Sequence, residues 1–373
     1  MLDLLNLNKK ELRDLLTTWH EPAYRATQIE RWLYRDYVRD FDAMTNLSRD
    51  LRARLRDSAT IGVPRVIAET KSKDGLTRKA LLQLDDGNTV EAVLMLYVDA
   101  PDSPQLEDAS TALSMTRRTV CISTQVGCPI GCPFCATGQA GYIRNLTPGE
   151  IVSQVLHFAR ATTLTNIVIM GMGEPFMKFD VTWRAIETLT DPARFAMGAR
   201  RITVSTSGEI PGIERMARDA KRLQVNLAVS LHAPDDKLRD KLVPLNRKYP
   251  LNKLMRAVRE YIAKTNRRVT FEYALMDGIN DKPEHARALA GMLRGGGKGG
   301  ATPPLLCHVN LIPLNPTASS PYKRTPPARV KQFEKILRDV NIATTLRVEK
   351  GIAIAAGCGQ LRQTATKQIK NIE

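Results

Sequence analysis

From Thr119 onward, apolar runs of strand length alternate with amphipathic runs of helical period, and few folds accept that rhythm. The strand candidates are "RTVCIST", "NIVIMGM", "RRITVSTS", "VNLAVSLH", "RRVTFEYALM" and "LCHVNLIPLN". Between them stand the helical patterns "TPGEIVSQVLHFARA", "VTWRAIETLTD", "LNKLMRAVREYIAKT" and "PEHARALAGMLR", and "PARVKQFEKILRDV" follows the last strand. The first helix opens with a capping box, Thr147 and Glu150, with Pro148 at its first position. Strands joined through helices run parallel with right-handed crossovers. Six such units predict an α/β fold, either a doubly wound sheet or an incomplete (β/α) barrel. In both, ligands collect at the C-terminal ends of the strands.

The unusual residues fall at those ends. Cys128, Cys132 and Cys135 follow the first strand, "GMGEP" (Gly171 to Pro175) ends the second and "STSG" from Ser205 the third. "SLH" from Ser230 ends the fourth, and "PLNP" with Asn315 the sixth. A core would place apolar residues there; small, polar and glycine residues at one rim describe a ligand site.

Ahead of this core, residues 1 to about 60 read as short helices. Asn8 and Glu11 form a capping box before "LRDLLTTW". "PAYRATQIERWLYRDY" puts Ile29, Trp32, Leu33 and Tyr37 on one face, and a third helix starts at Ser48 with Leu51 and Leu55 inward. Arg25, Arg31, Arg35, Arg49, Arg52, Arg54 and Arg56 decorate these helices, as a solvated face or a phosphate-binding one. "KALLQLDDGNTVEAVLML" then reads as a hairpin turning at "DDGN". Glu91 interrupts its second strand and, on alternation alone, points to solvent. "RGGGKGGATPP" from Arg294 follows a helix and precedes a strand, the reverse of a phosphate loop, and reads as a surface connection.

Length and charge narrow the class. A chain of 373 residues buries a large core, and its 43% hydrophobic and 25% charged content is ordinary for a globular protein. No apolar run is long enough to span a membrane. "MLDLLNLNKKELRDLL" has acids among its leucines and no small-residue cleavage site, unlike a signal peptide. Six unevenly clustered cysteines then point to a reducing cytoplasm and to metal or catalytic use. The formal charge of +16 attracts polyanions through counterion release, without saying which nucleic acid.

Four of the six cysteines lie in "CISTQVGCPIGCPFCATGQAGY", three of them spaced C-x3-C-x2-C at Cys128, Cys132 and Cys135. Structural zinc wants a second knuckle of similar type, and Cys307 and Cys358 are isolated. A thioredoxin-like pair leaves Cys128 idle. A [4Fe–4S] cluster on three thiolates leaves one iron open to a substrate-like ligand. Cys307 reads as a buried structural thiol, whereas Cys358, between two glycines, is poorly placed for packing and well placed for reaction.

The cysteine spacing resembles the signature of the radical S-adenosylmethionine (SAM) superfamily, and "GEP" at Gly173 to Pro175 resembles its motif for the SAM amino group. Together "CISTQVGCPIGCPFCATG", "GMGEP", "TVSTSG", "SLHAP", "NLIPLNP" and "AGCGQL" closely resemble the RlmN/Cfr family of radical SAM RNA methyltransferases, over essentially the whole chain. The resemblance implies a partial (β/α)6 radical SAM barrel with a small N-terminal helical domain and a β-hairpin extension. The expected divisions are 1–62 (helical, RNA-binding), 63–115 (hairpin), 116–350 (radical SAM core) and 351–373 (the segment carrying Cys358).

It also implies the chemistry. An adenine C2 is electron-poor and cannot attack the methyl group of SAM. In the implied route Cys358 first takes a methyl group from one SAM. A second SAM, bound on the cluster held by Cys128, Cys132 and Cys135, yields a 5′-deoxyadenosyl radical, which removes hydrogen from that methyl group. The carbon radical adds to the ring, and Cys121 then attacks the Cys358 sulfur, releasing methylated base and a disulfide that thiols reset. Carried over residue by residue, Glu91 is the proton acceptor, and SAM contacts fall on Gly173, Glu174, Ser205, Ser230, Leu231, His232 and Asn315. His232 lines the pocket rather than acting as a base. The implied substrates are an adenosine in the peptidyl-transferase centre of 23S rRNA and the tRNA adenosine beside the anticodon. The implied electron donor is a flavodoxin or ferredoxin, the default state a monomer, and the favoured ring position C2 over the C8 of Cfr. A radical SAM enzyme acting on protein, a non-methylating iron–sulfur RNA binder and a zinc-stabilised nucleic-acid module are the alternatives. One departure stands out: relatives carry acids, as in "DIDA", where this chain has "AIAAG" before Cys358.

Overall fold

The computed structural model describes residues 1–98, 115–295, 303–315, 317, 320–347 and 351–361. Most of the glycine-rich stretch after Arg294 lies outside them. Three helices open the chain: α1 (Lys9–Thr18), α2 (Tyr24–Tyr34) and α3 (Arg49–Ser58). The Asn8–Glu11 capping box forms in both directions, at 2.9 and 2.7 Å. Ser48 caps α3, whose Leu51 and Leu55 are buried as expected. The expected face of α2 needs correction. Ile29 and Leu33 are buried as expected, but the helix ends at Tyr34, so Tyr37 lies beyond it with φ near 53°, and Ala26, Glu30 and Tyr34 complete the buried face. Trp32 is half-buried, and its indole N–H donates to Asn46 Oδ1 at 2.6 Å.

Next come β1 (Arg65–Lys71), β2 (Thr77–Gln83), β3 (Thr89–Val98) and β4 (Met115–Cys121). The sequence shows β2 and β3 as a hairpin; β1 pairs antiparallel with β2 as an extra strand. A small hairpin, β5 (Gln125–Gly127) and β6 (Tyr142–Asn145), encloses the cysteine loop and the short helix α4 (Ala136–Gln139). The α/β run follows: α5 (Pro148–Ala159), β7 (Asn166–Ile169), α6 (Phe179–Thr190), β8 (Ile202–Thr206), α7 (Ile210–Asp219) and β9 (Asn226–Ser230). It continues through α8 (Asp236–Leu242), α9 (Leu251–Thr265), β10 (Val269–Leu275), α10 (Pro283–Arg294), β11 (Cys307–Pro313), α11 (Pro327–Asp339) and β12 (Thr344–Leu346).

All these strands except β5 and β6 belong to one ten-stranded sheet, ordered β12-β11-β10-β9-β8-β7-β4-β3-β2-β1. From β4 to β12 every pairing is parallel, and β3, β2 and β1 extend the sheet antiparallel. The six expected strands are thus joined by β12, a short seventh, and the edge β1–β3 continues the barrel wall. Strands flanked by helices read as continuous apolar runs, and β7, β9 and β10 do so.

The N-terminal helices dock on α5, α6 and the turn after α6. Arg194 donates to Glu30 Oε1 at 2.8 Å, to Thr188 Oγ1 at 3.2 Å and to the Leu7 carbonyl at 3.1 Å, all three side chains being buried. Lys9 pairs with Asp191 at 2.6 Å, Arg184 with Glu11, and the Gly149 N–H donates to Asn6 Oδ1 at 2.8 Å. The arginines read as either solvated or phosphate-binding are mostly engaged within the protein. Arg25 faces Glu21, Arg31 faces Asp36, Arg56 pairs with Asp42, Arg35 donates to the Pro192 carbonyl, and Arg54 stacks over Trp19.

Candidate active site

The C-terminal strand ends meet in one cleft with about 1250 Å3 of empty space, its open mouth included. Cys121 ends β4, Met170 and Gly171 follow β7, Ser205 and Thr206 end β8, and Ser230 ends β9. Glu272 and Ala274 come from β10, Ile312 from β11 with Asn315 just beyond it, and Arg347 follows β12. The cysteine loop brings Cys128, Cys132 and Cys135 to the same wall, and 356–359 and 361 lay Cys358 across the cleft. The segment carrying Cys358 is tied down at several points. The Ala136 N–H donates to the Gly359 carbonyl at 2.7 Å, Thr137 Oγ1 to the Leu361 carbonyl at 2.5 Å, and Lys79 Nζ to the Ala355 carbonyl at 3.2 Å.

Electrostatics separate the thiols by role. Burial pushes the Cys128 thiol up to about 12, and Cys132 rises well above its ordinary value through burial and its two neighbouring cysteines. Such groups hold no charge unless a cation shares their space. Among the described residues, no trio of Cys, His, Asp or Glu side chains is gathered tightly enough to hold a single metal ion. Burial also raises Cys121, to about 12. It raises Cys358 too, where the Arg347 guanidinium, within hydrogen-bonding reach of the sulfur, pulls the other way. Cys358 is half-buried and faces the cleft rather than the outer surface. Cys307, at the start of β11, lies outside the cleft.

Six of the seven expected SAM contacts line the cleft: Gly173, Glu174, Ser205, Ser230, His232 and Asn315. Gly173 has φ near 105°, and a Cβ there would stand 2.6 Å from Gln125 Cβ, so only glycine fits. Glu174 is buried and accepts the Ser207 N–H at 2.6 Å and the Phe176 N–H at 3.2 Å. Burial outweighs those bonds and lifts its carboxyl to about 7. The Ser205 and Ser230 hydroxyls lie 3.5 Å apart on neighbouring strands. His232 accepts the Ala274 N–H through Nδ1 at 3.0 Å and packs edge-on to Phe134. Burial depresses it to about 3, so it stands as a neutral pocket residue. Asn315 Oδ1 is buried with no hydrogen-bond partner, an acceptor facing the cleft and awaiting a donor.

Two expected residues stand apart from the cleft. Leu231 is fully buried, its N–H donated to the Glu272 carbonyl at 2.9 Å and its own carbonyl taken by Arg239 Nε at 3.0 Å. Glu91 does not line the cleft either. Nor does it point to solvent: it is 4% exposed and pairs with Lys79 at 2.8 Å.

The comparisons with known proteins follow this anatomy. Residues 122–290 match the family model described as the radical SAM superfamily, and residues 2–61 match the ribosomal RNA large subunit methyltransferase N-terminal domain. A probable dual-specificity RNA methyltransferase RlmN from Chloroflexus aurantiacus is 47% identical, covering 99% of this chain and 95% of the relative. The dual-specificity RNA methyltransferase RlmN of Halorhodospira halophila is 46% identical over 96% of this chain and 93% of its own. The chain belongs to the RlmN family. A crystal structure of a radical SAM methyltransferase from Sphaerobacter thermophilus superimposes with a TM-score of 0.87 at 48% identity, over 97% of this chain and 99% of that one.

For an RlmN-family protein, the superfamily match implies a [4Fe–4S] cluster and SAM. The residues present fit both. Three soft sulfur donors on one loop share one cleft wall, and burial leaves Cys128 and Cys132 in need of positive charge to ionise. The unpartnered Asn315 oxygen and the serine pair offer SAM its polar contacts.

Three residues that sequence reasoning missed complete this RlmN-family cleft. Glu272 is an acid inside an apolar strand, a signal of the same kind as Glu91. Arg347 follows a three-residue strand too short to register as a pattern. Arg239 is buried and gathers the carbonyls of Ser207 at 2.7 Å, Ser230 at 3.0 Å and Leu231 at 3.0 Å, fixing two strand ends. Only its wholly hidden environment gives it away.

Proposed function

We propose that this chain methylates C2 of adenosine in RNA, with Cys358 as the methyl-bearing thiol and Cys121 as the thiol that frees the product. The observation that carries this reading is the shared cleft. Cys121 and the three loop cysteines line one space with Cys358, which comes from more than 200 residues further along the chain. Cys358 is near enough to Cys121 that a Cys358 thiolate would disfavour that of Cys121. A cluster needs only the loop cysteines; two further thiols in the same cleft need another use.

Cys128, Cys132 and Cys135 hold the cluster in this reading, and Gly173, Glu174, Ser205, Ser230, His232 and Asn315 seat SAM, with Leu231 backing the pocket from behind. When bound, the cluster and SAM supply a radical able to take hydrogen from an unactivated methyl group. The protein's own part is placement and exclusion of water. The Cys358 sulfur carries the carbon to the base. Attack by the Cys121 thiolate breaks the bond between that sulfur and carbon. The electron pair stays with carbon, which takes up a proton, and a Cys121–Cys358 disulfide remains for an external dithiol to reduce. Glu91 accepts a proton during this resolution. One SAM charges Cys358 and a second is cleaved, so two are used per turnover.

The names of the relatives support RNA as substrate, and the dual-specificity names support action on both 23S rRNA and tRNA. The match of residues 2–61 to a ribosomal RNA large subunit methyltransferase N-terminal domain supports ribosomal RNA as a substrate, and C2 rather than C8 rests on the resemblance to RlmN. The +16 charge suits a polyanion. We read 1–62 and 63–115 as RNA-gripping accessories of the 116–350 core, and 351–373 as the relay segment. The protein acts as a cytoplasmic monomer fed by a flavodoxin or ferredoxin. Mass spectrometry of digested RNA from cells with and without the gene tests the reading. The expected outcome is 2-methyladenosine lost with the gene and not restored by Cys358→Ala; 8-methyladenosine in its place would overturn the ring position.

A further inference from the structure

One ammonium group touches both the proposed proton acceptor and the loop that carries the relay thiol. Lys79 on β2 stands opposite Val93 on β3, and Val93 stands opposite Cys121 on β4. Side chains alternate along a strand, so Lys79, Val93 and Cys121 form a row across one sheet face, and Glu91 shares that face two residues from Val93. Lys79 Nζ lies 2.8 Å from Glu91 Oε1, with side-chain exposures of only 14% and 6%. The same nitrogen donates to the Ala355 carbonyl at 3.2 Å. Ala355 closes the turn Ile352–Ile354 in a left-handed conformation, three residues before Cys358.

We propose that Lys79 is a positioning residue, holding the Glu91 side chain by their ion pair and fixing it in register with the Cys358 loop. The proposal rests on the reading of Glu91 as proton acceptor. A buried carboxylate without a neighbouring cation goes neutral and can no longer take a proton. When the proton lost by the reacting ring carbon reaches a Glu91 oxygen, the carboxylate becomes an acid and Lys79 keeps its three protons, while the odd electron of the ring adduct would be taken up by the iron–sulfur cluster of the proposed function. Its second bond, to Ala355, joins the strand that bears the base to the loop that bears the tether. A purely structural pin would serve capture of the base and release of the product alike. A positioning residue for the base serves release alone.

The test follows single turnovers of the reconstituted holoenzyme on an RNA substrate, reading the covalent protein–RNA adduct on denaturing gels and methylated product by mass spectrometry. Lys79→Met is expected to form adduct at a rate within about threefold of the parent, yet release product on the order of 100-fold more slowly, as general-base loss does. Glu91→Gln should behave the same way, and Lys79→Arg should recover most of the release rate. If Glu91→Gln stalls with adduct while Lys79→Met releases at the parental rate, the role of Lys79 is wrong and that of Glu91 stands. If Lys79→Met slows capture and release equally, Lys79 is only a structural pin and the proposal falls. If Glu91→Gln itself releases normally, the reading of Glu91 as base fails, and the role of Lys79 with it.

Discussion

The side-chain amide of Asn315 donates a hydrogen bond to the carbonyl oxygen of Cys358 at 3.3 Å, joining the end of β11 to the Cys358 loop. Gly357 makes that approach possible, because a Cβ there would stand 2.5 Å from Asn315 Nδ2.

Gly357→Ala should therefore move the Cys358 loop off Asn315 while leaving the sheet intact. Misplacement near 1 Å costs about 100-fold in a reaction that depends on alignment, so methylation should fall by roughly that factor. Multiple-turnover RNA methylation, set beside an unchanged thermal unfolding curve, checks it.

Arg347 opposes the burial that raises the Cys358 thiol. In Arg347→Met that opposition is lost, the thiolate fraction falls, and alkylation of Cys358 by iodoacetamide near pH 8 should slow by about tenfold or more. Peptide mass spectrometry reads this site by site. Cys307, remote from Arg347 in the fold, should react at its parental rate.

His232 sits near 3 in the folded protein against 6.5 for an ordinary histidine. A histidine depressed by folding is protonated first in the unfolded chain, so its contribution is intact above about pH 7 and is lost progressively as pH falls below about 6.5. Stability should decline by up to about 1.4 kcal/mol per pH unit in that window. His232→Asn keeps an acceptor for the Ala274 N–H, tolerates the left-handed backbone, and should flatten the slope. Urea unfolding at about pH 7.5, 6.5 and 5.5 measures it.

The Glu30–Arg194 pair joins the N-terminal helices to the barrel with both side chains almost wholly buried. Glu30→Ala leaves a buried guanidinium without its partner and should cost about 3–5 kcal/mol in unfolding free energy. Glu30→Leu combined with Arg194→Met should cost markedly less, because no charge is left stranded. Guanidinium unfolding of the two variants makes the comparison.

Periodicity showed the parallel strands and most of their helices, since both report directly on which faces are buried. The capping boxes at Asn8 and Thr147 formed where they were read, because a cap is a local event. β12 and the β5–β6 hairpin stayed hidden because they are too short to show a period, and the seven-residue edge strand β1 because it is largely exposed and shows no apolar face. The end of α2 was misjudged because nothing in "WLYRDY" forbids helix; only the tertiary setting bends the chain at Tyr37. In the cleft, cysteines and glycines announced themselves by spacing. Glu272, Arg347 and Arg239 did not, because a single polar residue acquires meaning only from what the fold places against it.

The strap that crosses the cleft is made after every strand of the sheet. A nascent chain lacking those residues would leave its three-thiol loop uncovered on that side. When 351–361 settle against α4 and β2 they roof part of the cup and leave its mouth open. Loading and roofing can thus follow in the order of synthesis, with no need to uncover a finished protein.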